Sequence, residues 1–249
     1  MGHPWRQAAF DQPTPPQFQY RRLHCRPSIE DSTVNETKTA LLAGATGAVG
    51  QKLLPLLLAS PDYGRIKVIG RRPPAQRHPK LEAISSDFGD LPALGASLAA
   101  DDVYCCLGTT QGKAGRDGLE RVDHDYVLAL AAAALAQGAR QFLVVSAIGA
   151  SVHSPSFYSR VKGRMEQGLA ALGYPSLRIV QPSLLLGERD EHRPGEAFAQ
   201  KLSPLLSPLL AGPLAKYRPI TTQAVAEALL TLSRRPYQGT RIHTLPLRG

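Results

Sequence analysis

From residue 39 onward, short apolar runs alternate with longer segments whose apolar residues recur at helical spacing. The runs at 39–43, 65–70, 81–87, 102–107, 141–146 and 177–181 are too short for stable helices and predict six strands. Between them the spacing predicts helices over 48–59, 90–99, 122–137 and 157–172. Pro61, Gly138 and Gly173 follow three of these segments and act as ordinary stop signals. Beyond Pro182 the pattern loosens. It predicts a helix over 197–206, another over 223–234 and a last strand near 241–245. Strands that are nearly continuous in apolar residues are buried on both faces. Their alternation with helices argues an α/β, doubly wound parallel sheet, with a small region after about 182 on the substrate side.

Residues 1–38 follow no such pattern. They are rich in Pro and Gln with isolated aromatics (Trp5, Phe10, Phe18, Tyr20), and the expectation is a flexible tail ahead of a domain over 39–249. Arg6, Arg21, Arg22 and Arg26 give this stretch a slight likeness to an organelle presequence, but it shows no amphipathic helix. No apolar run approaches the roughly 18 residues that span a bilayer, so no membrane partner is expected. Three cysteines, two of them adjacent, are too few for a disulfide framework, and a cytoplasmic location is expected.

The net charge of +9 calls for an acidic partner, and its distribution narrows the choice. Residues 65–80 hold Arg65, Lys67, Arg71, Arg72, Arg77 and Lys80 without an acid, and 234–248 add Arg234, Arg235, Arg241 and Arg248. No zinc-finger spacing, RNA-recognition aromatics or basic coiled coil accompanies them, so nucleic acid is not expected. A phosphorylated cofactor fits the first cluster.

The first predicted strand runs into Gly44-Ala45-Thr46-Gly47-Ala48-Val49-Gly50. Glycines at this spacing, between a strand and a helix, allow a tight turn, a close backbone approach to a pyrophosphate and close helix–sheet packing. The helix N-terminus adds N–H groups and a positive dipole end. About 20 residues on, a site for NAD would offer a carboxylate to the ribose hydroxyls. Here the second strand ends in Gly70-Arg71-Arg72. Guanidinium groups pair with a 2′-phosphate through charge-assisted bonds, so NADPH is expected in preference to NADH.

The fifth predicted strand ends in Ser146; Tyr158 follows twelve residues later and Lys162 four after that. Residues four apart share a helix face. An ammonium beside a phenol favours the phenolate, which suits Tyr158 as a proton donor or acceptor. Ser146 would then orient the substrate oxygen. His124 and Asp125 are adjacent on a helix, which is the wrong spacing for two metal ligands, and no metal is expected. Cys105 and Cys106 read as small core residues.

The glycine loop, the strand-end serine and Tyr158-Ser159-Arg160-Val161-Lys162 resemble the short-chain dehydrogenase/reductase superfamily in its atypical branch. Val68-Ile69-Gly70-Arg71-Arg72, Cys105-Cys106-Leu107-Gly108-Thr109-Thr110, Gly112-Lys113-Ala114-Gly115, Val122-Asp123-His124-Asp125-Tyr126-Val127 and Arg193-Pro194-Gly195-Glu196 are similar to the Tat-interacting-protein-like NAD(P)H-binding oxidoreductases. The resemblance spans about 39–235. It implies a Rossmann fold with NADPH bound through the loop (Gly44, Thr46, Gly47, Ala48, Val49, Gly50), Arg71 and Arg72. It further implies contacts from Asp87 near adenine, from Leu107, Gly108 and Thr109 along the cofactor, and from Tyr158 and Lys162 at the nicotinamide.

The main expectation is an NADPH-dependent reductase of a small carbonyl compound using Ser146, Tyr158 and Lys162. Two alternatives stand beside it. One is an NADPH-binding redox sensor without turnover, since Tat-interacting relatives are associated with protein regulation. The other is a nucleotide-sugar epimerase, which shares the catalytic trio but usually carries a larger C-terminal domain. His192 falls in a charged loop with Glu188, Asp190, Glu191 and Arg193. The apolar stretch 202–210 fits a lid, core packing or a subunit contact, which leaves a homodimer or a protein partner open.

Overall fold

A computed structural model describes residues 37–183, 185–186, 219–235 and 237–246. Seven strands form one parallel sheet: β1 (Lys38–Ala43), β2 (Tyr63–Gly70), β3 (Leu81–Ser85), β4 (Asp102–Cys105), β5 (Gln141–Val145), β6 (Ser176–Gln181) and the edge strand β9 (Gly239–Thr244). Their order is β3-β2-β1-β4-β5-β6-β9, and the direction of winding reverses between β1 and β4. That reversal opens a crevice at the carboxyl ends of β1 and β4, where ligands of such sheets bind. Two short strands, β7 (Leu185–Leu186) and β8 (Ile220–Thr221), pair separately.

The period of two along each strand divides the core into two layers. Ala40, Leu42, Tyr104, Leu143, Val145 and Val180 face one side, where they meet α1 (Gly50–Ala59) and α5 (Thr222–Ser233). Leu41, Ala43, Val103, Cys105, Phe142, Val144, Leu177 and Ile179 face the other, where they meet α3 (Tyr126–Ala136) and α4 (Phe157–Ala171). Each large aliphatic side chain buried this way contributes about 1.5–3 kcal/mol. The expected doubly wound α/β sheet is the observed one.

The elements differ from the sequence reading in three places. The segment expected as a helix over 90–99 is a pair of 3₁₀ turns over Pro92–Leu98, broken at Gly95. The helix expected from residue 122 is preceded by α2 (Gln111–Glu120) and joined to it by a π-helical turn, Arg121–Asp125. The loops after β3, β4 and β5 begin one or two residues earlier than expected, which leaves Asp87, Leu107 and Ser146 just beyond their strands. Of the tail expected over 1–38, residues 1–36 lie outside the described residues and Lys38 already begins β1; the helix expected over 197–206, the charged loop around His192 and the apolar stretch 202–210 also lie outside them.

Candidate functional site

The glycine loop sits at the winding reversal. Gly44 follows β1 with φ +83°, and a Cβ there would stand 2.5 Å from the Cys106 carbonyl oxygen just past β4. Only glycine accommodates both the conformation and that approach. A Cβ on Gly50 would run into the Gly44 carbonyl, so the first residue of α1 packs directly on the turn. The amide of Gly47 donates to the Gly44 carbonyl at 3.0 Å and closes the turn. This cradle, with the N-terminal end of α1 behind it, fits a pyrophosphate.

The other expected cofactor residues line the same carboxyl edge. Arg71 and Arg72 follow β2 and are exposed beside the loop that leaves β1. Asp87 follows β3, is exposed, and accepts a hydrogen bond from the Gly89 amide at 2.9 Å. Leu107, Gly108 and Thr109 follow β4, opposite Gly44.

Helix α4 starts on a Ser156 cap that accepts from the Ser159 amide. Arg160 donates to the carbonyls of Ser154 and Pro155, both at 2.8 Å, and fastens the preceding loop to the helix. Tyr158, Lys162 and Glu166 then fall on one helix face, four residues apart. Tyr158 is 38% exposed, so its ring is reachable from solvent. Lys162 is 2% exposed and close enough to Tyr158 for the two to interact electrostatically. Its ammonium lies 2.8 Å from the Asp123 carboxylate and 3.4 Å from the Val145 carbonyl, next to Ser146. Burial pulls the Lys162 pKa down, but Asp123 outweighs it and holds the lysine above its ordinary value.

Two further groups complete the site, and neither was among the residues expected from sequence. Asp123, 1% exposed, lies in the π-helical turn. One of its oxygens takes Lys162; the other accepts the Thr109 amide at 2.8 Å, tying the loop after β4 to α4. Such turns recur at functional sites because the extra residue re-aims side chains. Glu166, 8% exposed, accepts the Ser146 hydroxyl proton, and the Gln181 amide donates to its two oxygens at 2.9 and 3.1 Å. Burial raises the Glu166 carboxyl above the usual range, against the lowering effects of Ser146, Gln181 and Lys162. The helical spacing from Tyr158 to Glu166 was a signal in the sequence. For Asp123 there was none, since its partner is remote in the chain.

Cys105 is buried in β4 and its thiol is pushed up to about 11 by burial; Cys106 is half-buried and pushed higher for the same reason. His124 bonds the adjacent Asp125 at 2.8 Å. Among the described residues no cluster of His, Cys, Asp and Glu is arranged to hold a metal, and no helix is long and apolar enough to cross a membrane.

Residues 44–181 match a family described as NAD(P)H-binding. Protein HTATIP2 of Rattus norvegicus is 36% identical over 170 residues, which cover 67% of this chain and 70% of that protein. A protein of Emericella nidulans named fmp52, mitochondrial, is 36% identical over 167 residues, covering 64% of this chain and 72% of that one. The solved structure of the Bordetella bronchiseptica enzyme WbmH in complex with NAD+ superposes with a TM-score of 0.63 at 16% identity, covering 85% of this chain and 77% of that one. The mitochondrial names of several fungal relatives overturn the expectation of a cytoplasmic location. That expectation rested on cysteine usage, which reports only that disulfides are not needed and does not distinguish one reducing compartment from another.

Proposed function

Because this chain belongs to the NAD(P)H-binding oxidoreductase family of HTATIP2 and fmp52, we propose that it reduces a carbonyl group of a small molecule with NADPH. The observation that carries this reading is the meeting of three groups at the carboxyl edge of the sheet: an exposed Tyr158, a buried Lys162 on the same helix face, and Ser146 beside them. The glycine cradle, Arg71, Arg72 and the loop 107–109 would hold the cofactor. Bound there, NADPH supplies the hydride that the carbonyl carbon accepts.

Tyr158 gives its phenolic proton to the carbonyl oxygen as that oxygen gains charge, so one C–H and one O–H bond form while the C=O π bond breaks. The product is an alcohol, and Tyr158 recovers its proton from water. The Lys162 ammonium stabilises the phenolate in the interval. Asp123 keeps that ammonium charged and in place, and Thr109 with it. Arg71 and Arg72, standing where a site for NAD would offer a carboxylate, support a preference for the 2′-phosphate.

One observation favours a second reading, oxidation of an alcohol. Ser146 spends its proton on Glu166, which leaves its oxygen as an acceptor, and an alcohol has a proton to give where a carbonyl has none.

The test is turnover of the full chain with NADPH against aldehydes, ketones and quinones, and with NADP+ against alcohols, for the parent and Tyr158→Phe. The substitution is expected to cut turnover by about 10²–10⁴ and leave cofactor affinity unchanged. Full activity in the variant would assign the proton to another group. No turnover by the parent in either direction would leave cofactor binding without chemistry, the expectation for a redox sensor.

A further inference from the structure

We propose that Glu166 is a positioning residue that selects what Ser146 offers the substrate oxygen. As a carboxylic acid it donates to Ser146 Oγ and frees the serine proton for a carbonyl oxygen. As a carboxylate it takes that proton and leaves Oγ only as an acceptor, fit for an alcohol. The inference deepens the proposed function and rests on it for the substrate's side of the bond.

A carbonyl oxygen has lone pairs only, so Ser146 can hold it only by donating. A hydroxyl has one proton, and that of Ser146 points at Glu166. The serine is 3% exposed and fixed at the end of β5, where its amide donates to the Val180 carbonyl at 2.7 Å. Whether its proton is free is therefore decided by the state of the carboxyl beneath it.

That carboxyl is placed to exist in both states. Gln181, at the end of β6, reaches both of its oxygens and fixes its orientation. The groups facing it among the described residues are Ser146 from β5, Gln181 from β6 and Lys162 from its own helix, which acts on it only through its field. The Lys162 ammonium is already spent on Asp123, from the turn before α3. Glu166 thus lies buried without a cation of its own in contact. Burial disfavours its charged form and outweighs the hydrogen bonds, so it titrates above the ordinary carboxylate value of about 4.3. Below that titration Ser146 can donate to the substrate oxygen; above it, Ser146 can only accept.

Glu166→Gln tests this with little change in shape. Gln181 can still donate to the oxygen left at the Oε2 position but loses its bond at the Oε1 position, where the new NH₂ faces Ser146 as a fixed donor. In the full chain, kcat/KM for reduction should fall with unit slope as pH rises through the Glu166 titration, and in Glu166→Gln it should stay flat there. At any one pH the equilibrium fixes the ratio of the two directions, so above the titration Glu166→Gln should exceed the parent by the same factor in reduction and in oxidation. On a Ser146→Ala background the Glu166→Gln change should alter neither profile. An effect that persists without Ser146 would overturn the proposal.

A second measurement needs no substrate. Infrared spectra of the cofactor-free protein, from about pH 5 to about pH 9, should show a carboxylic C=O band that is lost on titration, missing in Glu166→Gln and displaced in Ser146→Ala. A Glu166 that titrates in the ordinary range, unmoved by Ser146→Ala, overturns the coupling. Unimpaired turnover by Tyr158→Phe sinks the catalytic reading instead, and the infrared result stands apart from it.

Discussion

The ammonium of Lys162 and the carboxylate of Asp123 lie 2.8 Å apart, and both side chains are almost fully buried. The pair joins α4 to the π-helical turn before α3, and through the Thr109 amide to the loop after β4. It is the brace on which the geometry of the candidate site depends.

Asp123→Asn removes one charge and almost no volume, and the Asn oxygen can still accept from Thr109. The buried ammonium is left without its counter-ion, which typically costs about 3–5 kcal/mol. For a chain of this size that lowers Tm by roughly 10 °C. Lys162 is held above its ordinary value, so the pair's contribution is complete below the unfolded lysine pKa of about 10.4 and is lost only as pH rises through the folded one. Melting curves at about pH 6 and about pH 8 should therefore show the same deficit. Lys162→Met combined with Asp123→Asn should be less destabilised than the two changes added. Strict additivity would mean that the two groups do not depend on each other.

How much of this was legible in the sequence varies by element. The six leading strands and α1, α4 and α5 follow from apolar period and from Pro and Gly stops, because burial against the sheet agrees with the local pattern. Helix α2 was hidden by Gly112, Gly115 and Gly118, which disfavour helix, and by a lack of apolar residues other than Ala114 and Leu119. Tertiary contacts hold it. Arg116 stacks on Phe157 at 4.8 Å, and Glu120 pairs with Arg164 at 2.9 Å. The tyrosine, lysine and serine could be named from spacing, since helix period and strand ends are local. Glu166 shares that helical spacing, but its tie to Ser146 and Gln181, like that of Asp123 to Lys162 and Thr109, is to a partner on another element and has no local signal.

Arg71→Ala combined with Arg72→Ala tests the cofactor preference. Each charge-assisted bond to a 2′-phosphate is worth about 1.5–3 kcal/mol, so the double variant should bind NADPH at least about tenfold more weakly. NADH, which lacks that phosphate, should bind about as before. Calorimetric titration of both cofactors measures the difference. Equal affinity for the two in the parent would show that these exposed arginines read no phosphate.

His243, on the strand that pairs with β6, provides a second check on pH dependence. It lies on β9, half-buried, and Arg178 of β6 donates to its Nε2 at 3.3 Å. The same guanidinium donates to the Arg235 carbonyl at 2.6 Å and stacks on Tyr237 at 4.6 Å, so it holds the end of α5 against the sheet edge. Burial, then Arg178, Arg241 and Arg235, push the His243 pKa from 6.5 down to about 4. The native state therefore binds fewer protons than the unfolded chain between these two values. Stability from this group is complete above 6.5 and is lost as pH falls toward about 4, where protonation sets a new cation among three arginines. His243→Gln keeps an acceptor for Arg178 and has no proton to take up. Its stability by urea unfolding should resemble the parent near neutral pH and exceed it near about pH 4.5. The same fall in both proteins would mean that His243 is not held neutral and that acid sensitivity arises elsewhere.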